Sequence, residues 1–215
     1  MQFRKEQLLL YAVTDRAWVG RQTLMEQIED ALKGGATMVQ LREKELDQGS
    51  FLQEALQAAA LCHHYGVPLI INDNVEIALK SGADGVHVGM EDQPVDEIRA
   101  RVGKEFIIGA TAKTVDQAQK VEAAGADYLG VGAVFPSPTK KTAIRITREK
   151  LHEICASVSI PAVAIGGISL ENVEEIRGGG MSGIAVVSAV FAAEDIQEAT
   201  KALREKAVSI TEAAI

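Results

Sequence analysis

Short apolar runs alternate with polar segments along the length of the chain. The runs fall at Leu8–Thr14, Thr37–Leu41, Pro68–Asn72, Gly85–Val88, Phe106–Gly109, Tyr128–Val131, Ala162–Ile165 and Gly183–Val187. Each is short and almost continuously apolar, which predicts a parallel strand buried on both faces rather than a half-exposed strand with strict alternation. Between them, apolar residues recur at helical spacing and predict helices over Thr23–Lys33, Gln53–His64, Val75–Lys80, Val95–Val102, Val115–Ala124, Arg148–Ser157, Leu170–Arg177 and Asp195–Ala207. Clusters such as Gly34-Gly35-Ala36, Gly82-Ala83-Asp84-Gly85, Gly125-Ala126-Asp127 and Gly178-Gly179-Gly180 follow helices and lead into strands. Glycine tolerates the left-handed conformation that closes a helix, so each cluster predicts a C-terminal cap.

Strict βα alternation predicts a parallel sheet with right-handed crossovers. Eight units within 215 residues fit a closed (β/α)8 barrel with short loops better than an open doubly wound sheet. No linker or low-complexity stretch divides the sequence, so residues 1–215 are expected to form a single catalytic domain.

A net charge of −8 argues against a nucleic-acid partner, which needs a basic face. No apolar run approaches the ~20 residues of a membrane span, and no export signal is recognisable, so no membrane partner and a cytoplasmic location are expected. The two cysteines, Cys62 and Cys155, lack metal-ligand spacing and suit a reducing compartment. The oligomeric state is left open by the sequence.

In this fold the polar residues at the C-terminal ends of the strands are placed for chemistry. After strand 2, Gln40, Arg42 and Lys44 share one direction while strand geometry lasts. An amide, a guanidinium and an ammonium converging on one spot suit a diphosphate. Asp73 follows strand 3 and Asp92 follows strand 4. Either could be an ordinary loop or cap residue, but as a pair on neighbouring strand ends they could share Mg2+, which bridges readily to diphosphate oxygens. His87 is a pocket-lining or a core histidine. Thr111 contributes a hydroxyl near strand 5, and the loop Ser137-Pro138-Thr139-Lys140-Lys141 offers hydroxyl and ammonium donors. Gly166-Gly167 after strand 7 and Val187-Ser188 after strand 8 occupy the usual phosphate-binding corner of a β/α barrel.

These strand-end motifs, in this order and spacing, resemble the thiamine-phosphate synthase family. The resemblance runs from Tyr11-Ala12-Val13-Thr14-Asp15 through Val39 to Lys44, Asn72-Asp73 and Asp84 to Asp92. It continues through Gly125-Ala126-Asp127-Tyr128, Ser137 to Lys141, Ile165 to Ile168 and Val187-Ser188-Ala189. It implies a transferase that joins 4-amino-2-methyl-5-(diphosphooxymethyl)pyrimidine to 4-methyl-5-(2-phosphoethyl)thiazole with loss of diphosphate, so the expected partners are two phosphorylated small molecules. It also implies that Gln40, Leu41, Arg42, Glu43, Lys44, Asn72, Thr111 and Lys140 hold the pyrimidine diphosphate, with Arg42, Lys44, Thr111 and Lys140 catalytic. By the same resemblance Mg2+ would lie on Asp73 and Asp92, and the thiazole phosphate on Ser137, Pro138, Thr139, Gly167, Val187 and Ser188.

Three positions depart from the family pattern. Thr111 stands where serine is expected, Ser137 where threonine is common, and Met90 where glutamine is expected before Glu91-Asp92. None removes a proposed ligand. A thiazole tautomerase would share the thiazole-phosphate pocket but would not need the cationic set. An amino-acid biosynthetic isomerase would need an acid–base pair at the ends of strands 1 and 6, which this sequence lacks. A non-catalytic phosphate sensor would be marked by broken ligand positions.

Overall fold

The eight apolar runs pair edge to edge in sequence order and close on themselves. In the computed structural model, which describes residues 3–136 and 145–211, the strands are β1 (Leu10–Val13), β2 (Met38–Leu41), β3 (Leu69–Asn72), β4 (Gly85–Val88), β5 (Ile107–Ala112), β6 (Tyr128–Gly132), β7 (Ala162–Ile165) and β8 (Gly183–Val186). All neighbours are parallel, and β8 pairs with β1, completing a (β/α)8 barrel. Helices α1 (Leu24–Lys33), α2 (Gln48–His64), α3 (Val75–Ser81), α4 (Val95–Val102), α5 (Val115–Ala123), α6 (Arg148–Ala156), α7 (Ser188–Phe191) and α8 (Ile196–Thr211) account for the described helical turns of α type.

Alternation along each strand sorts side chains into two layers. Leu41, Leu69, Ile71 and Val86 point outward and pack beneath the helices with Ile28, Phe51 and Ala55. Tyr11, Met38, Ile70, Ile107, Tyr128, Val163 and Ala185 fill the interior with Leu8. Leu8 belongs not to β1 but to a 3-10 turn over Lys5–Leu8, whose fully buried leucine plugs the N-terminal end of the barrel. Among the described residues the interior is closed from below, and its cavity lies at the C-terminal end.

The repeated Gly-Ala-Asp turns do more than end helices. Asp84 accepts from the backbone N–H of Leu69 at 2.9 Å, and Asp127 from that of Ile108 at 2.7 Å. Each carboxylate thus satisfies an otherwise unpaired donor at the start of the preceding strand. Gly82 closes α3 in the left-handed conformation at φ +71°.

Four of the differences from the sequence reading have a local physical reason. Helix α2 starts at Gln48 rather than Gln53 because the Asp47 carboxylate caps it, accepting from Gly49 and Ser50 N–H. The helix expected over Leu170–Arg177 is only a 3-10 turn over Val173–Ile176. Its buried pair Val173 and Ile176 lies three residues apart, the spacing of a 3-10 helix, and Gly178 at φ +78° stops it. Strand β5 runs on to Ala112, so Thr111 is a strand residue. Helix α7, directly after β8, was not foreseen. It is a single turn with Val190 and Phe191 buried, too short for helical periodicity to register.

Candidate active site

The mouth of the barrel holds a cavity of about 210 Å³ that every strand helps to line. Inward parity places Tyr11 and Val13 from β1, Gln40 and Arg42 from β2, Asn72 from β3 and His87 from β4 on its wall. Thr111 and Lys113 follow from β5, Gly130 and Gly132 from β6, Val163 and Ile165 from β7, and Ala185 and Val187 from β8. Gly166, Gly167 and Ser188 complete the rim.

One side of this mouth is cationic, and its cations are held by carboxylates. Arg42 donates from Nη1 to Asp15 Oδ2 at 3.0 Å, and its backbone N–H donates to Thr14 Oγ1 at 3.0 Å. Lys44 donates to Asp73 Oδ2 at 2.6 Å, and Asn72 Nδ2 donates to the same oxygen at 2.6 Å. Lys44, Asn72 and Asp73 line a polar depression beside the main cavity, with Asn72 common to both. Gln40 is buried and donates from Nε2 to Tyr11 Oη at 2.7 Å.

Leu41 and Glu43 alternate away from the cavity. The Leu41 side chain is fully buried in the outer apolar layer. The Glu43 carboxylate is held by Arg16, whose Nε lies 3.0 Å from Oε2, and Arg16 also reaches Glu54 on α2 at 2.8 Å. These ion pairs brace the β2 end against α2, and what Leu41 and Glu43 could offer a ligand in the cavity is their backbone.

Asp73 is not the cap of α3. Asn74 is, its Oδ1 accepting from Ile77 N–H at 3.0 Å. Asp73 instead sits at φ +62°, the sole described non-glycine residue in the left-handed region. Such a conformation costs of order 1–3 kcal/mol and persists where the surroundings impose it. Here its N–H donates to the His87 carbonyl of the neighbouring strand at 2.9 Å, while its carboxylate is drawn to Lys44 and Asn72. Asp92 lies in the loop after β4 and accepts from Gly89 N–H at 2.7 Å, so it shapes that loop. Among the described residues, each aspartate keeps one carboxylate oxygen, Oδ1, without a protein donor. No group of three or more His, Cys, Asp or Glu side chains suited to a metal occurs among the described residues. Two carboxylates on adjacent strand ends nevertheless suit Mg2+, which usually takes one or two carboxylates and fills its remaining positions with water and phosphate oxygens.

The opposite rim is built of backbone. Gly166 and Gly167 have φ +104° and +65°, and a side chain on either would collide with Ala133 or with the Pro136 carbonyl. The β7 loop is thus pressed against the β6 loop, with its peptide groups close to the cavity. Val187 and Ser188 stand beside it at the start of α7. Ser137, Pro138, Thr139 and Lys140 lie outside the described residues.

The floor is a continuous set of hydrogen bonds. Tyr11 and Tyr128 hydroxyls are 2.8 Å apart, His87 Nδ1 is 3.1 Å from Tyr128 Oη, and His87 Nε2 is 3.1 Å from Thr111 Oγ1. Burial pushes the His87 imidazole down to about 4 and both tyrosines well above their usual range, so all three are neutral near pH 7. Of the two roles the sequence allows for His87, the structure gives it the pocket wall.

Two features escaped the sequence reading. Lys113 lines the cavity with no carboxylate partner among the described residues. Extending β5 past Gly109 would have found it, because Thr111 and Lys113 share the inward parity. Asp15 was visible within a motif, but its grip on Arg42 depends on two loops meeting. The cysteines are unpaired, and burial raises both thiols to about 12. No described helix is long and apolar enough to cross a membrane.

The chain is similar to known proteins over most of its length. The family described as thiamine monophosphate synthase (TMP-TENI) matches residues 10–190. The thiamine-phosphate synthase of Clostridium botulinum (strain Eklund 17B / Type B) is 44% identical over 197 residues, covering 92% of each chain. That of Alkaliphilus oremlandii is 45% identical over 195 residues, covering 91% of this chain and 93% of its own. The solved structure of thiamine phosphate pyrophosphorylase from Pyrococcus furiosus superimposes with a TM-score of 0.88 at 38% identity, covering 96% of this chain and 98% of that one.

Proposed function

The chain belongs to the thiamine monophosphate synthase family, and from that premise we propose how its barrel mouth carries out a transferase reaction that condenses a pyrimidine with a thiazole. The substrates are 4-amino-2-methyl-5-(diphosphooxymethyl)pyrimidine and 4-methyl-5-(2-phosphoethyl)thiazole, and the products are thiamine phosphate and diphosphate. The observation that carries this reading is the two-sided cavity. Arg42 and Asn72 line one side, with Lys44 in the adjoining depression that shares Asn72, and Gly166, Gly167, Val187 and Ser188 line the rest of the rim.

The cationic side receives the diphosphate. Arg42 forks to its oxygens, Lys44 adds a point charge, and Asn72 and Thr111 donate neutral hydrogen bonds. Lys140 joins this set and Ser137, Pro138 and Thr139 join the thiazole-phosphate rim; these four lie outside the described residues. Asp73 and Asp92 would hold Mg2+, which neutralises charge on the leaving diphosphate. The pyrimidine CH2–O bond breaks first, the electron pair leaving with the diphosphate. The 4-amino group of the pyrimidine stabilises the resulting cation, and the thiazole nitrogen attacks it. The nucleophile has no proton to lose, so no general base is required, in keeping with the neutral floor of His87, Tyr11 and Tyr128. The chain contributes positioning and preorganised charge.

The metal assignment is tested by an Asp73→Ala, Asp92→Ala double variant. Diphosphate release is expected to fall at least about 100-fold, since the charge stabilisation at stake is of order several kcal/mol, and the response to added Mg2+ should be lost. Wild-type turnover in the double variant would refute it.

A further inference from the structure

The hydrogen bonds across the barrel floor have a direction. Gln40 on β2, Tyr11 on β1, Tyr128 on β6, His87 on β4 and Thr111 on β5 form one unbranched chain with separations of 2.7, 2.8, 3.1 and 3.1 Å. Its first link is an amide N–H, which can only donate. Tyr11 Oη accepts that proton, so its own hydroxyl proton goes on to Tyr128. Tyr128 in turn donates to His87 Nδ1. An imidazole that accepts at Nδ1 carries its proton on Nε2, and Nε2 faces Thr111 Oγ1. Thr111 accepts there and is left with a free hydroxyl proton at the cavity wall.

We infer that this chain is a directional relay in which His87 is held as the Nε2–H tautomer, so that Thr111 faces the cavity as a hydrogen-bond donor. His87 is then a positioning residue that acts through Thr111. The surroundings are shaped to keep the chain intact. A side chain at Gly109 would collide with the Tyr128 hydroxyl and the His87 ring, and one at Gly130 with the same ring. The Tyr11 and Tyr128 rings meet edge to face at 5.9 Å, which fixes both hydroxyls. Hydrogen bonds in such a series also polarise one another, strengthening the terminal donor.

The direction of the chain rests on the orientation of the Gln40 amide, which turns Nε2 to Tyr11 Oη. What Thr111 donates to rests on the function proposed above: a terminal donor selects an acceptor, and an anionic oxygen of the substrate's diphosphate fits. The methyl group of Thr111 restricts the side chain at χ1, and so where Oγ1 sits, without affecting the direction.

Nitrogen-15 NMR of histidine-labelled, substrate-free protein reads the tautomer directly. The chain contains four histidines, and loss of one signal set in His87→Gln identifies the relevant ring. The expected result is a protonated Nε2 and an unprotonated Nδ1. A proton on Nδ1 would overturn the relay, since the chain would then run from Thr111 toward Gln40. Gln40→Glu replaces the donor at the head of the chain with an acceptor and is expected to move the proton to Nδ1; an unchanged tautomer would overturn it equally. Should that variant fail to fold, Tyr128→Phe removes the donor to Nδ1, and the Nδ1 signal should shift in that variant; an Nδ1 signal that stays put contradicts the relay.

The donor role is read separately with inorganic diphosphate and Mg2+. Thr111→Val is expected to weaken binding about tenfold, the size of one charge-assisted hydrogen bond, while Thr111→Ser retains it. Unchanged binding in Thr111→Val would overturn the donor role. A wild-type chain that shows the Nε2–H tautomer but no synthase turnover would count against the proposed function and leave the relay standing.

Discussion

Asp15 clamps Arg42 between two loops: one carboxylate oxygen accepts from Arg42 Nη1 at 3.0 Å, and the other accepts from the Ala17 backbone N–H at 3.0 Å. The guanidinium side chain is 29% exposed and that of Asp15 13%, so the pair sits at the edge of the cavity rather than in open solvent. Its consequence is preorganisation. A guanidinium already aimed loses little freedom when an anion arrives.

Asp15→Ala should therefore lower kcat/KM for the pyrimidine diphosphate about tenfold, corresponding to roughly 1.4 kcal/mol of positioning. Asp15→Asn should lose less, because an amide oxygen still accepts from Arg42. Steady-state kinetics on the three proteins checks this, and equal kcat/KM values would contradict the clamp.

Lys113 makes a different prediction. Arg42 and Lys44 are neutralised by Asp15 and Asp73, whereas Lys113 has no described carboxylate partner at the cavity wall. Lys113→Gln is expected to raise KM for an anionic substrate by about tenfold, the value of one charged hydrogen bond, with a smaller change in kcat. Lys113→Arg should recover most of the loss. Measuring KM for each substrate in turn also assigns Lys113 to one half of the cavity, and unchanged KM for both would remove it from the site.

His87 predicts a pH dependence of stability. Its imidazole titrates near 4 in the folded chain against 6.5 when unperturbed, through burial. The unfolded state then binds more protons than the folded state between those values. Stability should accordingly fall as pH drops from about 6.5 to about 4, by up to roughly 1.4 kcal/mol per pH unit from this group. Above 6.5 both states are neutral at this position and its contribution is constant. Urea unfolding at pH 5 and pH 7 should show a smaller difference in His87→Gln than in the wild type; an equal difference would mean that His87 is not the group responsible.

The barrel was legible because each strand is a short apolar run, several of them led into by a glycine turn, and because strand-end position alone selects residues for chemistry. Gln40, Arg42, Asn72 and Thr111 were found that way, and all four line the cavity. Parity also separates Leu41 and Glu43 from their neighbours, but the family motif spans all five positions and hides that division. Lys113 was missed because strand 5 was ended at Gly109, before its polar end. The choice between capping and site duty at Asn72-Asp73-Asn74 could not be read from residue types, since Asp and Asn both cap well. Backbone geometry decided it, with Asn74 capping α3 and Asp73 held at φ +62°. The Gln40 to Thr111 chain joins five strands whose residues lie far apart in sequence, so no local pattern could reveal it.

The most direct test of the account is diphosphate release by the purified protein supplied with both substrates and Mg2+, beside controls lacking the thiazole phosphate or containing EDTA. Release that requires both substrates and stops with EDTA is the predicted result. A folded protein that releases no diphosphate from verified substrates, or releases it equally well without the thiazole phosphate, would contradict the two-sided cavity as a condensing site.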